Sequence, residues 1–547
     1  MQASVRLDAT PSWTLITEAS DLERATSLIR AALTVQLTGY RPAVWGRKAE
    51  RCFLLRRGGQ ASRFATGFLP RVVSTLRAAG WRVDVRSTPP VPRLPAVPSI
   101  DRLNGIDNLH AHQDEAAARA LPVVRARIQV GTTGGKTEVG AELVRRLSLR
   151  TLWTTNSVDL QMQTVDRLRL RLGADAVGTF QRGIDSPPTA LVCVATVQAL
   201  HAARKTLPVY WWRQWRVVIA DECQLASAKT WYQTILRCGG AWHRYGLSGT
   251  VLTGKLERDW MLEGATGVLL DIIGVAGLAE RGLAALPELR MVRVPPAAYP
   301  SYHQARAAVC PRAHLMLQRA AHTLDDAEAQ RLRAAARYEI RANATRLWSW
   351  TYQHGITHNQ QRNAAALKLL LQLVSHDNKV LVLCSNLAHG AALERALRQR
   401  NVRVAWLSGQ DSKTLRAGTL RAFRTANSGA VLIASKIFNA GIDAPEIDAG
   451  VLLGGGGRTS PVDTIQKVGR MVRWRADKTT VPVYDFLDGT GPPRPGVKDY
   501  LAAHTAARVA AYRRAGYPVV AWPSTRPSFG GGVAASHTSK WQHVQLV

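Results

Sequence analysis

ARIQVGTTGGKTEVGAELVRRL, residues 126–147, runs an apolar strand into a Gly/Thr loop and then into an amphipathic helix. Few short segments restrict a fold as much. Consecutive backbone N–H groups in such a loop, with a helix N-terminus behind them, make a cradle for an anion. The pattern places Gly131, Thr132, Thr133, Gly134 and Gly135 around the phosphates of a nucleotide. The Lys136 ammonium would reach the β- and γ-phosphates, and the Thr137 hydroxyl would hold Mg2+. The first position of this loop is normally small; here it is Val130, so the fit is VxxxxGKT. Because ligands of open α/β sheets lie beyond the carboxyl ends of parallel strands, the loop demands an α/β domain around it.

A phosphate loop also needs an acidic partner for its metal. RVVIADECQ, residues 216–224, is a buried-strand pattern that ends in two carboxylates. Asp221 there can bind Mg2+ through water, while Glu222 can orient and deprotonate an attacking water. Lys136, Thr137, Asp221 and Glu222 together describe a site that hydrolyses ATP.

The rest of the chain is built on the same alternation. Between about 105 and 290, the strands ARIQV, TLWTT, ALVCVAT, RVVIADE and YGLSGT are separated by helical patterns. Near-continuous apolar strands of this kind predict a parallel sheet covered on both faces. The alternation returns from about 360 to 490 with KVLVLCS, VRVAWLSG, AVLIAS, AGVLLGG and VPVYDF. Between them lies an Arg/Ala-rich helical stretch, and the proline-dense TPPVPRLPAVPS at 88–99 reads as a stiff linker. The expected organisation is therefore a small N-terminal α/β domain (1–88), a linker (89–100), a first α/β motor domain (101–297), a helical linker (298–358), a second α/β domain (359–515) and a flexible tail (516–547).

Lys plus Arg is 72 against 39 for Asp plus Glu, a net charge of +33. Such an excess favours a polyanionic partner, nucleic acid before membrane. No run approaches the ~18 apolar residues of a membrane span, and the start MQASVRLDATPSW lacks a secretory layout. The six cysteines are scattered with no CxxC pair, so neither a disulfide framework nor structural zinc is expected, and a reducing cytoplasm fits.

With the phosphate loop and the DECQ strand in order, the sequence resembles the superfamily 2 helicases, nucleic-acid motors with two RecA-like domains. The resemblance covers about 105–515. DECQ stands where the family carries DEAD or DEAH, with Gln224 in the final position. LHAHQDEAA places Gln113 like the glutamine that reads adenine in family members. LSGT, with Ser248, Gly249 and Thr250, resembles the segment that links hydrolysis to movement. SKIFNAGIDAPEID matches the motif ending in GxDxP at Gly441, Asp443 and Pro445. QKVGRMVRW matches QxxGRxxR at Gln466, Gly469, Arg470 and Arg473; in the family both arginines approach the γ-phosphate. GLSGTVLTGKLERDWMLEGATG, VLCSNLAHGAALERAL and YDFLDGTG with HTAARVAAYRRAGY are similar to the phage and repair branch that migrates junctions and anneals strands. The chain departs from the usual APTGSGKT at Val130 and Thr133, and carries Asn156-Ser157 where the family usually has Pro-Thr.

The resemblance implies single-strand contacts, made mainly to phosphates, at Asn156, Ser157, Thr196 and Gln198 in the first domain and Ser385 and Ser435 in the second. RLRLRL at 167–172 reads as solvated helix surface rather than a binding stripe. YWWRQW at 210–215 reads as packing on the approach to Asp221 rather than a stacking platform. His389 has no second ligand at metal spacing. The expectation is an ATP- and Mg2+-dependent helicase or translocase on DNA rather than RNA. Residues 1–88 would recognise DNA or dock a protein partner. An RNA-directed motor, a scaffold with a dead nucleotide site and the motor subunit of a restriction-like complex are the competing readings.

Overall fold

A computed structural model describes residues 2–36, 50–55, 62–87, 100–105, 109–181, 184–186, 190–227, 229–251, 255–426, 429–435, 447–455, 461–469, 471, 479–491 and 499–522. The chain divides into two compact units at Leu283/Ala284.

The first unit holds two sheets. β1 (Ser4–Ala9), β2 (Trp13–Ala19), β5 (Arg63–Ala65) and β6 (Arg82–Ser87) form a small sheet in the order β5-β2-β1-β6, while β3 (Thr34–Gln36) pairs with β4 (Glu50–Cys52). Helices Leu22–Ala32 and Leu69–Ala78 bury Ala25, Ile29, Val72 and Leu76 in the core beneath this sheet. The second sheet comprises β7 (Arg125–Val130), β8 (Thr151–Thr155), β9 (Val177–Gln181), β10 (Ile184–Ser186), β11 (Val192–Thr196), β12 (Val217–Asp221), β13 (His243–Ser248) and β14 (Val268–Ile273). Their order is β10-β9-β11-β8-β12-β13-β7-β14, and every neighbouring pair is parallel except the edge pair β10–β9. All residues of β8, β11 and β12 are buried, as strands covered on both faces must be.

The described residues among 2–87 pack against the second sheet's layer. Phe68 and Phe53 meet Trp260, Leu236 and Met261 join the small domain's core, and Arg71 forms a two-pronged ion pair with Glu263 at 2.8 and 2.6 Å. The buried Arg244 guanidinium donates to Ser12 Oγ at 2.9 Å, and Ser12 Oγ donates to the Leu236 carbonyl at 2.7 Å. The proline-rich stretch 88–99 lies outside the described residues.

The second unit contains β15 (Leu286–Arg293), β16 (Lys379–Leu383), β17 (Val404–Leu407), β18 (Ala430–Ala434), β19 (Ala449–Leu452), β20 (Thr480–Leu487) and β21 (Val519–Trp522). They form a parallel sheet in the order β17-β18-β16-β19-β20-β15-β21. Two expected boundaries move as a result. β15 lies between β20 and β21, so the second unit begins at Ala284 rather than after 297. Its alternating burial and its Pro287 disguise it as something other than a core strand. Val519–Trp522, expected in the tail, is the sheet's edge strand. The stretch expected as a linker is four helices (Tyr302–Val309, Pro311–His322, Asp326–Ala342, Ala344–Tyr352) inside this unit, with a small core around Ala305, Cys310, Ala313, Ala336 and Leu347.

Two local readings resolve differently. Trp211, Trp212 and Trp215 pack in the first unit's core with Phe180, as the packing reading has it. RLRLRL is helical, but it is not simply solvated surface. Arg171 is buried, donates to Glu138 at 2.9 Å and to the Asn104 and Gly105 carbonyls, and Arg167 pairs with the same Glu138. The helix is thereby tied to the helix that follows the phosphate loop. Among the described residues, no helix is long and apolar enough to cross a membrane.

Candidate nucleotide site and coupling relay

β7 ends at Val130 and the helix Lys136–Leu147 begins six residues later, so Gly131–Gly135 turn at the carboxyl edge of the sheet. The loop is tightly packed. A Cβ at Gly131 would lie 2.8 Å from the Val275 nitrogen, and one at Gly134 only 2.5 Å from Val130 Cγ1. Gly135 has φ +77° and its Cβ would meet Gln113 Nε2 at 2.2 Å, so only glycine fits there. Thr133, where the usual loop has glycine, sits at φ +75°. A β-branched residue in that region is strained, which is the physical content of the departure from APTGSGKT.

Gln113 stands in the first turn of the helix Ala111–Val123. Its Nε2 donates to the Gly134 carbonyl at 3.2 Å, and its Oε1 accepts from the His110 backbone N–H. His112, which the sequence did not flag, donates from Nε2 to the same Gly134 carbonyl at 2.8 Å; burial lowers its pKa. The helix thus braces the phosphate loop from below. The only local signal was the HQ pair.

Asp221 is the last residue of β12 and is buried. Burial, with Glu222 adding to it, pushes its carboxyl up to about 6, partly offset by Lys136. Glu222 has φ +49°, a strained turn for a non-glycine residue, and its Oε1 lies 3.9 Å from Lys136 Nζ. Gly249 keeps the space beside them open: a Cβ there would come within 3.1 Å of Thr132 Oγ1 and 3.7 Å of Lys136 Nζ. An open cradle with a lysine, a threonine hydroxyl and a buried carboxylate fits a nucleoside triphosphate with its divalent cation.

From Glu222 a chain of side-chain contacts leads away from the cradle. Gln224 Nε2 donates to Glu222 Oε2 at 2.8 Å, and Ser248 Oγ donates to Gln224 Oε1 at 2.6 Å. The Thr250 backbone N–H donates to Ser248 Oγ at 3.0 Å. Gln224 and Ser248 are both buried, so the link between them is made away from water. β12 and β13 are adjacent, with Asp221 opposite Leu247, which is why residues so far apart in sequence meet.

The expected strand-contact residues fall at the carboxyl ends of adjacent strands. In the first unit Ser157 follows β8 and Thr196 ends β11, and both cap the next helices, accepting from the Leu160 and Ala199 N–H groups. Gln198 Nε2 donates to the Asn156 carbonyl at 3.0 Å, joining the two loops. In the second unit Ser385 and Ser435 follow the neighbouring strands β16 and β18. Gln466 is on the helix Pro461–Gly469 and half-buried. Gly441, Asp443, Arg470 and Arg473 lie outside the described residues.

His389 pairs with Asn363 Oδ1 at 2.8 Å, and burial lowers its pKa to about 4. Among the described residues, no group of three or more His, Cys, Asp or Glu could hold a metal. A feature whose arrangement the sequence left unread is a buried charge cluster in the second unit. Arg362 donates to Asp488 Oδ1 at 2.6 Å, Arg508 donates to Asp485 Oδ2 at 2.7 Å, and Tyr299 and Tyr512 donate their hydroxyls to the two carboxylates. The quoted YDFLD and HTAARVAAY carried it, but only helical spacing against a strand reveals the pairing.

Comparison with known proteins matches residues 107–252 to the type III restriction enzyme res subunit family and residues 362–475 to the helicase conserved C-terminal domain family. The ATP-dependent DNA helicase uvsW of Enterobacteria phage T4 is 22% identical over 431 residues, 74% of this chain and 74% of that protein. Among solved structures, the crystal structure of T4 UvsW is 17% identical with a TM-score of 0.40, covering 95% of this chain and 99% of that one. S. cerevisiae Dbp5 bound to RNA and ADP BeF3 is 14% identical with a TM-score of 0.46, covering 76% and 94%. One family match falls on each parallel sheet, with the phosphate loop, the Asp221-Glu222 strand and the Ser248 segment in the first and the Gln466 helix in the second. The chain belongs to the superfamily 2 helicases and is an ATP-dependent motor of that group.

Proposed function

We propose that this motor is an Mg2+-dependent DNA helicase or translocase that remodels branched DNA in replication, recombination or repair. The observation that carries the motor reading is the relay from Lys136 through Glu222, Gln224 and Ser248 to Thr250, since a plain nucleotide-binding domain has no need to transmit the state of its catalytic carboxylate. The net charge of +33 and the DNA helicase activity in the phage relative's name favour DNA as the polymer.

In this reading Thr137 and Asp221 hold Mg2+, which neutralises charge on the phosphates when bound. Lys136 binds the β- and γ-phosphates, Gly131, Thr132, Thr133, Gly134 and Gly135 cradle them, and Gln113 reads the base. Glu222 orients the attacking water and takes its proton. Gln466, Gly441 and Asp443 contribute from the second unit, and Arg470 and Arg473 stabilise charge on the transferred phosphoryl group. Asn156, Ser157, Thr196, Gln198, Ser385 and Ser435 hold one strand by its phosphates. Residues 1–88 add a contact to branched DNA or to a protein partner, and the reducing cytoplasm is the place of action, in keeping with six free cysteines.

The test is ATP turnover measured with single-stranded DNA, forked DNA and RNA, for the wild type and for Lys136→Ala and Glu222→Gln. Stimulation by forked DNA above the other two, lost in both variants, is the expected result. Stimulation by RNA alone would overturn the DNA reading, and unstimulated turnover would overturn the motor reading.

A further inference from the structure

Two side chains of the helix Ala111–Val123 meet at one atom, the Gly134 carbonyl oxygen. Gly134 is buried, and its carbonyl accepts from His112 Nε2 at 2.8 Å and from Gln113 Nε2 at 3.2 Å. Across a trans peptide the C=O and the following N–H point in opposite directions, so fixing the Gly134 oxygen fixes the aim of the Gly135 N–H. That N–H has no backbone partner among the described residues and belongs to the loop that cradles the phosphates.

The two donors are not equivalent, because Gln113 has competing work. Both ends of its amide are engaged here, Nε2 on Gly134 and Oε1 on the His110 backbone N–H at 3.2 Å. Turning to a base would release both contacts. His110 is exposed, so water can take over its N–H. The Gly134 oxygen is buried, and a buried acceptor that loses its donor has no water to replace it. His112 is placed to prevent that loss. Its side chain is buried and makes the shorter of the two bonds. With Nε2 as the donor, Nδ1 is a bare acceptor, and it is buried with no hydrogen-bond partner among the described residues. An apolar side chain would fill this position, on the same buried helix face as Ala116, without that unpaired nitrogen. The bond that compensates for burying the imidazole goes to the phosphate loop.

We propose that His112 is a positioning residue that frees Gln113 for the base. It keeps the Gly134 carbonyl hydrogen-bonded, and the Gly135 N–H aimed at the phosphates, while the Gln113 amide turns to adenine. The proposal rests on the assignment of Gln113 to the base given above. Its consequence is selective. A nucleotide whose base Gln113 reads depends on His112. One whose base it does not read, or a phosphate chain with no base, leaves Gln113 on Gly134, and the loop stays held without the imidazole.

The full chain is titrated by calorimetry with ADP, GDP and inorganic pyrophosphate, each with Mg2+. His112→Phe fills the space without a donor. It is expected to weaken ADP about tenfold, the effect of leaving one buried carbonyl unpaired, and to leave GDP and pyrophosphate nearly unchanged. The preference for ADP over GDP falls by the same factor. His112→Gln keeps an amide donor and should keep that preference. His112→Leu carries the same test if the phenylalanine prevents folding, which the melting temperature reports. Equal weakening of all three ligands, or unchanged ADP affinity in a folded variant, would overturn the proposal, since the imidazole would then only pack against the loop. So would a loss of preference in His112→Gln as large as in His112→Phe. A wild type that binds ADP and GDP equally would instead overturn the assignment of Gln113 to the base.

Discussion

Gly67→Ala is the sharpest test of how the N-terminal domain is held. Gly67 lies in the short 3-10 turn Thr66–Phe68, where the chain presses onto the end of the helix Leu256–Thr266. A Cβ there would lie 2.1 Å from the Glu263 carbonyl oxygen and 2.6 Å from that of Gly264. Unstrained contacts need about 3.5 Å, so the two segments must part by roughly 1 Å or more. No side chain can rotate away, because both obstacles are backbone. Parting also stretches the Arg71–Glu263 pair, which starts at 2.6–2.8 Å, and lifts Arg71 from the Trp260 ring it covers at 4.5 Å. Overpacking costs about 1–3 kcal/mol where neighbours yield, and here the upper end applies. Reduced freedom of the unfolded chain returns about 0.4–1 kcal/mol, leaving a net loss of about 2–3 kcal/mol. For a unit of this size that is a fall of roughly 4–12 °C in melting temperature, read by calorimetry or by tryptophan fluorescence. An unchanged or raised melting temperature would refute the seating of residues 2–87 on that helix.

Ser248→Ala removes two hydrogen bonds worth about 1 kcal/mol each, one of them buried, so strand separation should fall about 30-fold. ATP turnover should fall far less; an equal drop in both rates would show that the relay transmits nothing. Arg470→Ala should cut stimulated turnover roughly a thousandfold or more while a fluorescent ATP analogue still binds, and near-normal turnover would remove the arginine from the mechanism. Asp488→Asn leaves the fully buried Arg362 without its carboxylate and should destabilise the second unit by about 3–5 kcal/mol in a denaturant titration, a loss that an unchanged midpoint would contradict.

The motor's chemistry could be read from the chain because its parts are local. Gly131–Thr137 act through consecutive backbone groups and a helix start, and Asp221-Glu222 sit at the end of one apolar run. Gln113, Ser248 and Gln466 were found by motif, yet their contacts were not. That Gln113 and His112 both hold the Gly134 carbonyl depends on a helix laid under the loop.

Sequence alone determined the two parallel-sheet domains and the glycine turn that ends β7, because periodicity and turn glycines need no knowledge of distant neighbours. Only the tertiary structure decided where β15 and β21 pair, why Arg171 is buried rather than solvated, and that the small N-terminal sheet belongs to the first unit. Each of these turns on a partner far along the chain, as with Arg71 and Glu263, 192 residues apart. A charged residue's own sequence context cannot say whether such a partner will be there to offset its removal from water.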